Sequence, residues 1–115
     1  LIIPVPLHPK KLNKRGYNQS LLLAEGIKKV IGLPIGDKFV HRVKINKSQT
    51  KFSKYDRWEN VNTIFEVKNS EKLKDKHILL VDDVLTTGAT IEACAAAILL
   101  KVNCTISVAT LAVRV

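Results

Sequence analysis

With 115 residues, 46% of them hydrophobic, and a formal net charge of +9, the chain has the size of one globular domain and is too short for two. This composition excludes intrinsic disorder, and no apolar run approaches the length of a membrane span, so no membrane insertion is expected. Residues 1–57 hold 13 Lys and Arg against 3 Asp and Glu, whereas residues 58–115 hold 6 against 7. The first half is therefore suited to binding phosphates, of a nucleic acid or of a small ligand.

The start of the sequence and its cysteines indicate the context of the domain. The sequence contains no methionine and opens on the apolar segment LIIPVP, so we expect natural sequence to precede residue 1. Cys94 and Cys104 lie in apolar surroundings without a CxxC pair, which predicts buried free thiols. Because residues 1–7 also lack the basic region of a signal peptide, we expect a cytoplasmic protein.

The first predicted elements are a strand and a helix joined by a loop. Residues 1–7 are predicted as a short, proline-bounded strand, and residues 10–16 as a basic loop. A helix is predicted from about residue 18 to residue 31, with Asn18 as the N-cap and Gly32 as the C-cap. Its predicted apolar stripe consists of Leu23, Ile27, Val30 and Ile31.

The middle of the chain is less regular. Residues 38–43 alternate as a half-exposed strand does, and residues 64–67 form a second possible strand. Between them, residues 44–62 show no periodicity, which is typical of a functional or mobile segment. Residues 68–76 are predicted as a polar turn.

The last part of the chain gives the clearest pattern. Residues 77–83 are predicted as a strand buried on both faces, followed by a helix over about residues 90–101 and a strand over residues 105–113. The order strand, loop, helix, strand occurs twice in the chain, which predicts two β–α–β units. The predicted fold is therefore α/β, with a parallel central sheet flanked by helices and ligands at the carboxyl ends of its strands.

The segment VDDVLTTGAT, residues 81–90, combines two kinds of ligand contact. Asp82 and Asp83 come directly after the apolar strand, and ionised carboxylates accept hydrogen bonds from vicinal sugar hydroxyls or hold Mg²⁺ through water. Residues 86–90 lead into a helix N terminus, where unpaired N–H groups and the helix dipole favour a phosphate. Together they indicate a sugar phosphate.

Three stretches resemble one known family. ILLVDDVLTTGAT resembles the phosphoribosyl pyrophosphate (PRPP) signature of type I phosphoribosyltransferases, whose fold the chain is then expected to have, possibly without its N-terminal part. VPLHPKKLNKRGYNQS and RVKINKSQTKFSKYDRWENVNTIF resemble segments of the ComF family, which is linked with natural competence. The resemblance implies that residues 1–115 are a phosphoribosyltransferase-like domain from the C-terminal part of a longer chain, preceded by a zinc-binding segment.

The resemblance also implies roles for individual residues. Asp82 and Asp83 would bind the ribose hydroxyls of PRPP, and residues 44–62 would close over the active site. Tentative catalytic residues on that loop are Gln49 and Arg57. The pyrophosphate would be held by Leu7, His8, Arg15 and Gly16, and the rest of the PRPP contacts would come from Leu85, Thr86, Thr87, Gly88, Ala89 and Thr90.

The implied reaction is displacement of pyrophosphate from PRPP by an unidentified nucleophile, assisted by Mg²⁺. Thr86 stands where several purine phosphoribosyltransferases have a general-base aspartate, so whether this chain turns over remains open. A homodimer and contact with the competence machinery are also open. The alternative is a non-enzymatic module on the same fold, whose basic loops bind single-stranded DNA together with Tyr17, Tyr55 and Trp58.

Overall fold

The computed structural model describes residues 1–7, 9–43 and 65–114. In these residues, two α-helices and a 3₁₀ helix precede the central strand of the sheet, and one α-helix follows it. In chain order, the elements are β1 (Ile2–Pro4), α1 (Pro9–Arg15), α2 (Gln19–Ile31), β2 (Val40–Arg42), β3 (Phe65–Val67), a 3₁₀ helix (Ser70–Leu73), β4 (His77–Leu85), α3 (Ala89–Leu99) and β5 (Thr105–Val113).

The central sheet has the order β1-β4-β5, and both pairings are parallel. Ile2 lies opposite Leu79, and His77 lies opposite Thr105. The unit β4–α3–β5 is the second of the two predicted β–α–β units, and β5 has the predicted bounds. The parallel sheet with flanking helices confirms the predicted fold class.

Strand β4 is buried on both faces because a helix covers each side of it. Ile78 and Leu80 belong to the larger core, and Val81 packs on the other side with Ile2 and Ala24 of α2. The apolar residues of β4 thus pack into two core layers, one on each face of the sheet, as expected for a parallel strand between helices. From α3, the larger core receives Ile91, Ala93, Cys94, Ala97 and Ile98.

The first predicted β–α–β unit is wrong, because β2 does not join the parallel sheet. It pairs antiparallel with β3, with Val40 opposite Val67 and Arg42 opposite Phe65. The outer edge of β1 is instead bonded by residues 34–36, through the Ile2 amide to the Pro34 carbonyl and the Gly36 amide to the Ile2 carbonyl. Since these bonds satisfy the edge of β1, the following strand forms a separate ribbon, which packs on α3 through Phe65.

The predicted basic loop over residues 10–16 is also wrong, because Pro9–Arg15 is helical. Proline suits the first helical turn, and the next six residues contain neither glycine nor proline. The helix ends at Gly16, whose φ of 80° is left-handed and whose N–H donates to the Leu12 carbonyl at 2.7 Å. The basic residues therefore belong to a helix rather than to an irregular loop.

Helix α2 confirms both predicted caps but corrects the predicted stripe. The Asn18 side chain accepts a hydrogen bond from the Ser20 N–H, and Gly32 is left-handed. Leu23 and Ile27 of that stripe pack on the core beside the buried Ala24, which is as predicted. Val30 and Ile31 are 85% and 50% exposed, and Ser20 is buried instead. Ser20, in the first turn of α2, lies beside Asp82. The helix extends about 17 Å from there, so its last turn lies at the amino edge of the sheet, where β4 begins. Little core is left at that edge to cover the last turn.

Two smaller predictions are adjusted. The polar turn over residues 68–76 contains the 3₁₀ helix, whose Leu73 is fully buried in the core. Both cysteines are free thiols, as predicted, but only Cys94 is buried; Cys104 is half-buried. Burial raises the pKa of Cys94 to about 12, so this thiol is neutral at physiological pH.

Candidate functional site

The two aspartates lie within β4, which continues two residues beyond the predicted end at Asp83. Asp82 Oδ1 accepts hydrogen bonds from Ser20 Oγ at 3.1 Å and from the Asp83 N–H at 2.9 Å. Asp83 Oδ1 accepts from the Val84 N–H at 2.8 Å. Both carboxylates are half-buried and are fixed through Oδ1, an arrangement that orients the rest of each group before any ligand arrives.

The environment of Asp82 disfavours its charge. Burial raises the pKa of Asp82, and the neighbouring Asp83 side chain raises it further, while the hydrogen bonds from the Asp83 N–H and Ser20 oppose the shift. Asp82 therefore holds its negative charge at a cost, which an incoming donor or cation would relieve.

We expect Asp82→Asn to raise the free energy of unfolding at pH 7. Because the pKa of Asp82 is raised in the folded state, its ionised form lowers stability at pH values above that pKa. The penalty disappears as the pH falls through the folded pKa towards the ordinary value of 3.8, so the gain should shrink over the same range. Urea unfolding at several pH values measures this. The same substitution at exposed Asp75, just before β4, is the control, and a gain that persists below pH 3.8 would contradict the explanation.

The turn after β4 is shaped by Gly88. It caps α3 with a φ of 83°, and the Ala89 N–H donates to Thr87 Oγ1 at 3.3 Å. Thr86 and Thr87 are exposed, and Thr90 in the first helical turn is half-buried. The turn thus presents hydroxyls and the N terminus of an 11-residue helix, which together favour an anion.

Gly88→Ala should lower the free energy of unfolding by about 1–2 kcal/mol because an L-residue is strained at this φ. Among the described residues, a Cβ at this position meets only Leu85 Cδ1, at 3.9 Å, and these neighbours add no crowding. Gly26→Ala, within α2, is a control of opposite sign, since alanine there is expected to stabilise the helix by about 0.5–1 kcal/mol. Urea unfolding of both variants checks the prediction, and equal effects at the two positions would refute it.

A polar cleft of about 250 Å³ opens at this edge of the sheet. Asp82, Asp83 and Thr90 line it together with Arg15 of α1 and Arg42 of β2. Arg15 Nη1 donates to Gln19 Oε1 at 2.7 Å, which joins α1 to the first turn of α2. The cleft therefore combines acceptors from β4 with two guanidinium groups from other elements.

The structure brings some of the predicted site residues together. Those that line the cleft are Leu7, Arg15, Asp82, Asp83 and Thr90, while Gly16 lines an adjoining pocket. The turn next to the cleft contains Leu85, Thr86, Thr87, Gly88 and Ala89. His8, Gln49, Arg57 and the predicted closing loop over residues 44–62 lie outside the described residues.

Sequence reasoning missed four polar residues of this cleft, namely Asn18, Gln19, Ser20 and Arg42. Ser20 and Gln19 follow the N-cap of α2, and their position on the first turn could have been inferred from the cap itself. Asn18 caps the helix and also donates through Nδ2 to the Val5 carbonyl at 3.2 Å, which ties β1 to α2. Arg42 had no comparable signal, because its position depends on the pairing of β2 with β3.

The donor set limits how a divalent cation would be held. Within residues 1–7, 9–43 and 65–114, no three His, Cys, Asp or Glu side chains cluster as metal ligands. Asp82 and Asp83 are adjacent, and Mg²⁺ is commonly bound by one or two carboxylates together with water and substrate phosphates. The site therefore fits Mg²⁺ carried with a phosphorylated ligand.

No helix in the described part of the chain is long and apolar enough to cross a membrane.

The parallel sheet β1-β4-β5 with helices on both sides is the α/β architecture expected of a phosphoribosyltransferase. A model of the family described as phosphoribosyl transferase domain matches residues 18–114, and the chain belongs to this family. The resemblance of the sequence to ComF proteins is likewise confirmed by its similarity to curated competence proteins.

Competence protein F of Haemophilus influenzae is 37% identical over 91 residues, which cover 78% of this chain and 40% of that protein. Competence protein ComFC of Bacillus subtilis is 33% identical over 103 residues, covering 88% and 39%. DNA utilization protein YhgH of Escherichia coli K12 is 30% identical over 90 residues. The chain thus spans about two fifths of the length of these relatives. No solved structure matches it significantly.

Proposed function

We propose that this domain binds PRPP at the carboxyl edge of its sheet and transfers the phosphoribosyl group to a nucleophile. The observation that carries the proposal is the position of Asp82 and Asp83 in one cleft with Thr90, at the start of α3. A sugar and its 5′-phosphate require acceptors and donors a few residues apart, and this strand end offers both.

The contacts follow from the chemistry of each group. The ribose hydroxyls would donate to the carboxylates of Asp82 and Asp83, whose Oδ1 atoms are already fixed by Ser20 and backbone N–H groups. The 5′-phosphate would accept from the turn formed by residues 86–90, where Gly88 lets the backbone approach closely. Binding would also relieve the unfavourable charge on Asp82.

Cations would stabilise the pyrophosphate. Arg15 lines the same cleft as the carboxylates, and its hydrogen bond to Gln19 holds the guanidinium in place. Mg²⁺, when bound with PRPP through Asp82, Asp83 or water, would neutralise charge on the leaving group. The excess of basic residues in the first half of the chain fits a ligand with one phosphate and one pyrophosphate.

In the transfer, the lone pair of the nucleophile would form a bond to C1 of the ribose while the C1–O bond to pyrophosphate breaks. Pyrophosphate would leave with that electron pair, and the nucleophile would lose its proton to solvent or to a released phosphate oxygen. Thr86 is exposed in the turn and cannot serve as a carboxylate base, so proton removal is assigned to no residue of this turn.

Isothermal calorimetry on the full-length protein tests the proposal. PRPP with Mg²⁺ should bind saturably at micromolar to millimolar concentration, and ribose 5-phosphate more weakly, because it lacks the pyrophosphate. Pyrophosphate release with a set of nitrogen nucleophiles then tests transfer. Absence of PRPP binding at millimolar ligand would reject the proposed function.

A second candidate function is binding of single-stranded DNA by the same domain. Its support is the exposed Tyr17 next to the basic helix α1, since an aromatic ring beside cations is the usual platform for unpaired bases. The relatives are named competence protein and DNA utilization protein, and these names also favour binding of DNA. Asp82→Asn with Asp83→Asn should weaken PRPP but leave DNA affinity intact or higher. DNA affinity lost in this variant but kept in Tyr17→Ala would reject this second function.

A further inference from the structure

A second pocket of about 520 Å³ adjoins the polar cleft and differs from it in character. It lies between α1, α2 and β2, and its lining is mainly apolar. Leu12, Leu22 and Tyr17 are each more than 40% exposed, which leaves large apolar surfaces open to a ligand. The buried Val40 and the half-buried Leu21 complete this apolar wall.

The pocket and the cleft are continuous. Pro6, Leu7, Asn18 and Arg42 line both of them. Arg42, at the end of β2, is half-buried, and its guanidinium carbon lies 5.2 Å from the centre of the Phe65 ring on the paired strand. The ribbon of β2 and β3 therefore holds one cation at the junction of the two spaces.

The polar side chains that line the pocket are Tyr17, Asn18, Asp37, His41 and Arg42. The Asn18 amide already donates to the Val5 carbonyl and accepts from the Ser20 N–H. His41 Nε2 lies 2.9 Å from the Lys38 carbonyl oxygen. Against the apolar wall of Leu12, Leu21 and Leu22, the polar edge of a base would lose hydrogen bonds to water without replacement, whereas a hydrocarbon ring would not.

We propose that this pocket is the acceptor subsite and that it takes an aromatic ring carrying a carboxylate. This inference rests on the proposed function. The ring would lie against Leu12, Leu21 and Leu22, and the carboxylate would pair with Arg42. An amine ortho to that carboxylate would then point into the cleft, where its lone pair would form the bond to C1 of the sugar as pyrophosphate departs and the amine loses one proton.

Two fluorescent isosteres test the assignment on the full-length protein. 2-Aminobenzoate should bind roughly tenfold more tightly than the neutral 2-aminobenzamide, and Arg42→Gln should remove that preference. Arg42→Lys, which retains the charge, should keep part of it. Lys76→Gln, just before β4, removes the same charge away from the pocket and should leave the preference unchanged. Equal affinity for the two probes in the unmodified protein would overturn the inference.

A second pair of variants tests the location. Leu22→Glu places a negative charge on the pocket wall and should weaken 2-aminobenzoate at least tenfold. Val30→Glu, on the same helix but outside the pocket, should have no effect. Equal effects of the two variants would overturn the location.

Calorimetry with PRPP on the same samples separates the two proposals. If PRPP binds and neither aromatic probe does, the acceptor subsite is wrong and the proposed function stands. If PRPP does not bind, the proposed function fails, and a pocket that binds 2-aminobenzoate alone is not an acceptor subsite.

Discussion

Replacing Asp82 and Asp83 together by asparagine is expected to lower the affinity for PRPP by about 100-fold or more. Each carboxylate would accept charge-assisted hydrogen bonds from ribose hydroxyls, and such bonds are worth about 1.5–3 kcal/mol each. Asparagine keeps the shape and the Oδ1 acceptor that Ser20 and the Asp83 N–H require, but it removes the charge. The fold should therefore survive while binding is lost.

Asp75→Asn is the matched control for this double variant. Asp75 precedes β4 at the opposite end of the strand, and its φ of 60° is one that asparagine adopts readily. Calorimetry should show unchanged PRPP affinity for the control, and circular dichroism should show that both variants are folded. A folded double variant that binds PRPP as well as the unmodified protein would contradict the assigned ribose contact.

Leu80→Ala is expected to lower the free energy of unfolding by about 2–5 kcal/mol. Leu80 is fully buried in the larger core, on the β4 face covered by α3. Truncation removes its apolar contacts and leaves a cavity between strand and helix, which the parallel pairing of β4 with β1 and β5 prevents from collapsing.

Leu100→Ala tests whether that loss depends on burial. Leu100 follows α3 and is 74% exposed, so the same change should cost no more than about 0.5 kcal/mol. Urea unfolding measures both variants. Similar losses at the two positions would show that the core is not organised around β4 as described.

The end of the chain was predictable because local pattern and tertiary role agree there. Strand β4 has the continuous apolar run of a strand covered on both sides, and β5 follows α3 after a short connection.

The ends of helix α2 were predictable as well. Asn18 and Gly32 determine them through local hydrogen bonds and backbone conformation, which a sequence expresses directly. Its inward face was less predictable, because Ser20 and Ala24 are small and partly polar.

The failures have two physical causes, a missing local signal for α1 and partners distant in sequence for β2. A basic run such as residues 10–15 has no apolar periodicity, so its helix was not visible. The pairing of β2 with β3 depends on residues 34–36 bonding the edge of β1, which no local pattern reveals.

The same distinction holds for the candidate site. Asp82, Asp83 and the Gly88 turn are contiguous in sequence and were recognised as one unit. Ser20 and Arg42 reach the cleft from other elements, 62 and 40 residues before Asp82, and only the fold assembles them there. Residues that complete a site from separate elements are therefore the part that sequence reasoning misses.

Amide chemical-shift mapping of the full-length, isotope-labelled protein with PRPP and Mg²⁺ tests the central claim most directly. The largest shifts are predicted for residues 82–90, where β4 ends and α3 begins, with smaller ones around Ser20. Shifts that leave residues 82–90 unchanged under saturating PRPP would contradict a sugar-phosphate site at this edge of the sheet.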